Sequence, residues 1–90
     1  MERKELINEI AVFCYDYRLF KRTIKIDELI NIIELQLEDV AFIESLINTI
    51  IVKTNKDKNI DVEKVKKILL ELDKIRLELE YKDSKNKNIE

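Results

Sequence analysis

The sequence predicts an all-α fold: a small helical bundle of three long helices, or of four if the central helix breaks near residues 35–39. Three observations predict it. The 90-residue chain contains no Gly and no Pro, so positions of positive φ must be filled by residues such as Asn or Asp, or avoided. Hairpin-rich β folds depend on such positions, and long helices with few connections do not. Apolar residues recur at spacings of three and four along three separate segments, the spacing of one helical face. Short polar or β-branched stretches separate those segments.

The first helix is expected over residues 2–22. Leu6, Ile10, Phe13, Tyr17, Phe20 and Ile24 form its stripe, with Ile7 and Cys14 widening one side. Glu2, Glu5, Glu9 and Asp16 face away, and the late Arg18, Lys21 and Arg22 suit the negative end of the helix dipole. Val12, Tyr15 and Leu19 make a second, smaller apolar strip on the outer face. Core filling accounts for most of the aromatic cluster of Phe13, Tyr15, Tyr17 and Phe20. The sharper reading is an aromatic anchor at an interface, where Tyr and Phe are enriched.

Residues 23–26 read as a connection, with Asp27 as N-cap or first-turn acid of the next helix. That helix spans about residues 27–54 and is apolar over more than half its circumference, which marks a central element. Unbroken, it would run ~40 Å against ~30 Å for its neighbours, so a break is expected within Leu35-Gln36-Leu37-Glu38-Asp39.

Lys53–Asn59 is the clearest loop, and Asp61 is the expected cap of a helix over 61–82. Val65, Ile68, Leu72, Ile75 and Leu79 form its core stripe, and Glu63–Lys67 and Glu78–Lys82 are i,i+4 pairs in the favourable order. Residues 1–82 are thus expected to form one helical domain. Asp83–Asn88 carries no apolar side chain, so 83–90 is expected to be a disordered polar tail.

Catalysis is disfavoured by subtraction. There is no His, the commonest general base at neutral pH, so serine triads, Cys–His pairs and Glu-x-x-His metal sites cannot be built. One Cys and no His exclude the usual zinc sites, and the lack of Gly excludes phosphate-binding loops and dinucleotide fingerprints. Asn55-x-Asp57-x-Asn59 resembles the start of a calcium loop. It fails at Ile60, where the turn wants Gly, and at Lys66, where a bidentate Glu is needed. Cys14 lies on the apolar side of the first helix and reads as a small buried hydrophobe. No catalytic residue, cofactor or metal is expected.

The net charge of −2 is unevenly spread: residues 26–52 hold Asp27, Glu28, Glu34, Glu38, Asp39 and Glu44 and no Lys or Arg. Ile30, Ile33, Leu35, Val40 and Ile43 match the apolar spacing of a helix-turn-helix with its turn at Glu34–Leu37. The would-be recognition helix then begins Glu38-Asp39-Val40-Ala41-Phe42-Ile43-Glu44, with no cation for phosphates or guanine edges. Nucleic acid is therefore disfavoured as a partner, although a DNA-associated regulator stays as the alternative, beside a self-assembling subunit.

No apolar run approaches the ~20 residues a bilayer helix requires, and the mixed charge of Met1–Glu5 does not resemble a secretory signal. With a single Cys, this favours the cytoplasm. More apolar positions exist than a three-helix monomer can cover, among them Val12, Leu19, Leu70 and Leu77. The expectation is a non-enzymatic protein–protein interaction module, such as a small regulator, inhibitor or immunity- or antitoxin-like protein. It would bind a protein partner, or form a homodimer, through apolar and acidic helix faces. Candidate partner-binding residues are Val12, Tyr15, Leu19, Glu38, Asp39, Phe42 and Glu44.

Overall fold

The computed structural model describes residues 2–19 and 24–88, with side chains described up to Lys82. Four helices follow in order: α1 Arg3–Asp16, α2 Ile26–Gln36, α3 Val40–Lys56 and α4 Val62–Asn88. No strand occurs among the described residues. The bundle is therefore all-α with the central segment broken. The closely packed pairs are α1 on α2, α3 on α4, and α1 on α4. Two helix hairpins thus meet through their outer members.

The break falls at Leu37-Glu38-Asp39, inside the expected window, and two forces place it there. Leu37 at the end of α2 is fully buried, so the chain is held at the core while it turns. Asp39 then caps α3: its Oδ1 accepts from the N–H groups of Ala41 (2.9 Å) and Phe42 (3.4 Å). An aspartate cap satisfies donors that a new helix leaves open, and its charge suits the positive end of the dipole. Asp61 does the same for α4, accepting from Glu63 (3.1 Å) and Lys64 (3.4 Å). Neither α1 nor α2 has a side-chain cap; their N-cap positions are Glu2 and Lys25, and Asp27 serves α2 as a first-turn acid.

The first helix is shorter than the expected 2–22. It stops at Asp16, where the backbone makes a tight C-terminal turn. Arg18 N–H donates to Tyr15 O (3.3 Å) and Leu19 N–H to Cys14 O (3.1 Å). Arg18 adopts a φ of +50°, the left-handed conformation that this turn requires at the position after the cap. Glycine is usual there, and an arginine pays a steric penalty of about 1 kcal/mol. The turn also corrects the placement of Leu19, expected on the outer strip. It leaves the helix and packs half-buried against the core. Phe20, also assigned to the first stripe, lies outside the described residues.

The core draws on all four helices. Ile10, Ala11, Ile33, Leu37, Ile43, Ile50, Ile68 and Leu72 are fully buried, with Leu6, Phe13, Cys14, Leu29 and Val65 close behind. Ile60, in the loop before α4, is buried too and pins that loop to the core. No charged or polar residue is buried among those described. The loop itself is shorter than the expected 53–59, because α3 continues to Lys56. Asp57 tightens it by accepting from Asn59 N–H (3.0 Å).

α4 is the longest element, ~40 Å at the usual rise, and it sets the molecule's 48 × 25 × 24 Å shape. Its helical backbone continues past Lys82, the expected end of the domain, to Asn88; residues 89 and 90 of the expected tail lie outside the described residues. No Gly or Pro interrupts that stretch. The expected i,i+4 pairs on α4 are replaced by i,i+3 pairs. Glu63 meets Lys66 (3.9 Å) rather than Lys67, Glu71 meets Lys74 (3.6 Å), and Asp73 meets Arg76 (2.6 Å). All three are partly or largely exposed, where such pairs contribute little.

Candidate interaction surfaces

Each partner-binding candidate now has a place. On α1, Val12 is half-buried, and Tyr15 keeps 50% of its surface exposed. Its neighbours Phe13 on α1 and Tyr17 at the C-cap turn inward: Phe13 is buried and stacks at a tilt of 50° against half-buried Tyr17, with centroids 4.7 Å apart. At the α2–α3 junction, Glu38, Asp39 and Glu44 are exposed, while Phe42 is half-buried against the core. Asp39 already has work as the α3 cap.

These residues do not form one patch. Leu19 lies beside Val52 and Lys53, toward the C-terminal end of α3. Glu38 and Asp39 stand at the opposite end of that helix, ~20 Å away along its axis. What the structure brings together there is a shallow groove of about 450 Å³ between the end of α1 and the last turns of α3. Tyr17, Leu19 and Val52 give it an apolar floor, and Arg18, Lys53 and Lys56 line it with cations. Lys53 and Lys56 occupy the last turn of α3, where positive charge complements the carbonyl end of the helix. The groove was not legible in the sequence, because Leu19 reaches it only through the turn at Arg18.

A second surface is the outer side of α4. Leu70 is 64% exposed, Leu77 53% and Tyr81 68%. Their spacing of seven and four puts them on one line, opposite Val65, Ile68, Leu72 and Ile75, which are buried. Leu70 and Leu77 stood out in the sequence as surplus apolar positions. Tyr81 did not, since it falls at the end of the expected helix. Leu35 on α2, 80% exposed, is the most exposed large apolar side chain among those described.

Chemical groups are sparse. Burial pushes the Cys14 thiol up to about 12, so it carries no thiolate near neutral pH and is no nucleophile. The Arg76 guanidinium is held above its usual value by the hydrogen bond and charge of Asp73, with smaller contributions from Glu80 and Glu44. That places Glu44 near α4, so one of the junction's acids already has a cation within its field. No group of three or more His, Cys, Asp or Glu that could hold a metal ion occurs among the described residues. No helix among them is long and apolar enough to cross a membrane.

Fold and surface together define a small all-α bundle with an exposed apolar line on α4 and a groove of mixed polarity between the end of α1 and α3. No protein-family model matches the chain, nor does any curated protein or solved structure.

Proposed function

We propose that this chain is a non-enzymatic protein–protein interaction module, acting as a small regulator or inhibitor that occupies a partner's surface. The observation that carries the reading is the contrast between a core without buried polar residues and the large apolar side chains left on the surface, Tyr15, Leu70, Leu77 and Tyr81. Exposed apolar clusters of that kind mark interaction sites. The chemical inventory supports it: the chain has no His and its one thiol is buried and protonated. A cytoplasmic location goes with this reading, since the lone Cys14 has no second cysteine in the chain to pair with.

Two features weigh against the DNA-binding alternative. α3 carries no Lys or Arg before Lys53 and presents Glu38, Asp39 and Glu44 at its start. α2 and α3 are also not among the closely packed helix pairs, whereas a helix-turn-helix relies on that packing.

The test is an affinity capture of the tagged full chain from its own host's lysate, with a nuclease-treated control, repeated with Tyr15→Ala and Leu77→Glu. A stoichiometric protein that survives nuclease and is lost with a surface variant supports the module. Capture that disappears with nuclease, or no self-association and no captured protein at all, refutes it.

A further inference from the structure

α4 has two apolar faces, and only one of them is used within the chain. Val65, Ile68, Leu72 and Ile75 face the core, and Leu70, Leu77 and Tyr81 face out on the opposite side. The charges that flank the Leu70–Tyr81 line on its two sides differ in sign between its ends. Lys66 and Lys67 flank its N-terminal part, and Glu78 and Glu80 its C-terminal part. At about 100° per residue, Lys66, Asp73 and Glu80 border the line on one side, and Lys67, Glu71, Lys74 and Glu78 on the other.

We propose that this outer face of α4 is a self-association surface, on which a second copy of the chain lays its own α4 antiparallel about a two-fold axis near Asp73. The proposal rests on the interaction-module reading and names the partner. In an antiparallel pair related by a two-fold axis, each flank meets the same flank of the other copy. With the axis near Asp73, Leu70 lies beside the other copy's Leu77. Lys66 then meets the other copy's Glu80, and Lys67 its Glu78, so every opposed charge at the two ends is complementary. A parallel pair would instead set the Lys66 flank of one copy against the Lys67 flank of the other, lysine against lysine, and Glu80 against Glu78 likewise. Lys67 and Glu78 make no ion pair within the chain among the described residues; Glu80 acts on Arg76 only through its charge, and Lys66 has only a loose, exposed contact with Glu63 (3.9 Å), so the four can also act between copies. Asp73 on one flank and Lys74 on the other each face their own copy at the axis, where the bond of Asp73 to Arg76 and the pairing of Lys74 with Glu71 offset the repulsion. The lysine stems cover the apolar line on either side while their charges stay in water.

The test uses the full chain in light scattering and sedimentation over a range of concentrations. A monomer–dimer equilibrium is expected. Leu77→Glu and Leu70→Glu raise the dimer dissociation constant roughly tenfold or more while leaving helix content unchanged. Lys67→Glu alone and Glu78→Lys alone each weaken the dimer, and the double variant restores it. Asp73→Cys is linked to its own copy by a short bis-maleimide, and Tyr81→Cys is not, because its copies stand ~23 Å apart along the axis. Cys14 is buried and does not compete. A monomer at every concentration overturns the proposal, as does a dimer indifferent to both Leu variants, or linking at Tyr81→Cys in place of Asp73→Cys. A monomer that still captures a host protein in the lysate experiment leaves the module reading standing and removes only this one.

Discussion

The two faces of α4 are made of similar residues and meet opposite fates. Ile68 and Leu72 on the inner face are fully buried, whereas Leu70 and Leu77 on the outer face keep more than half their surface in water. Neighbours in sequence differ only by rotation about the helix axis. Apolar character alone therefore does not decide which residue is core. Whichever line of α4 meets α1 and α3 becomes interior, and the surplus line is left for something else.

The largest effect that would sharpen this contrast comes from truncation on the inner side. Leu72→Ala should destabilise the fold by about 2–5 kcal/mol, because the buried site closes only partly. Against the ~4–13 kcal/mol expected of a domain this size, that is enough to leave much of the chain unfolded in a denaturant titration. A loss below ~1 kcal/mol would mean the inner face is not packed as described.

Cys14 extends the same inside-versus-outside question to α1. Its folded pKa of about 12 lies above the ordinary 9.0. The unfolded chain therefore loses this proton first, and stability is fully present below pH ~9 and falls as pH rises toward ~12. Cys14→Ala should flatten that part of a stability-versus-pH curve, although it lowers stability at neutral pH by opening a small cavity. An unchanged slope would show that the thiol reaches water.

Smaller effects concern the turns that orient the helices. Asp61→Ala removes the α4 cap and should cost about 1 kcal/mol, read as a lower urea midpoint with the same slope. Arg18→Gly should do the reverse and add about 0.5–1 kcal/mol, because glycine accepts the left-handed backbone without penalty. Smallest of all, Leu70→Ala should shift the stability of the monomer by less than about 0.5 kcal/mol, as for other exposed positions. A loss there as large as at Leu72 would erase the distinction between the faces.

Much of the core was legible along the chain. Leu6, Ile10 and Phe13 on α1, and Val65, Ile68, Leu72 and Ile75 on α4, fall on the stripes that their spacing marks, and all are buried. Both aspartate caps stand just ahead of apolar runs, where a side-chain oxygen satisfies open N–H groups locally. The candidate surface residues were legible only in part. Tyr15 points outward as its position on α1 dictates, but Leu19 was misplaced because the Arg18 turn carries no glycine to announce it.

Local chemistry is what the sequence determined by itself: helix as the only regular structure among the described residues, the polar loop before α4, the caps, and the inner stripes. These follow from periodicity, from the absence of Gly and Pro, and from side chains acting within a turn of their own position. Tertiary structure alone decided how the helices pair, where α1 stops, and which of α4's two apolar lines is spent on the core. Those outcomes depend on surfaces brought together from distant parts of the chain, where burial of one face is won only by leaving another uncovered.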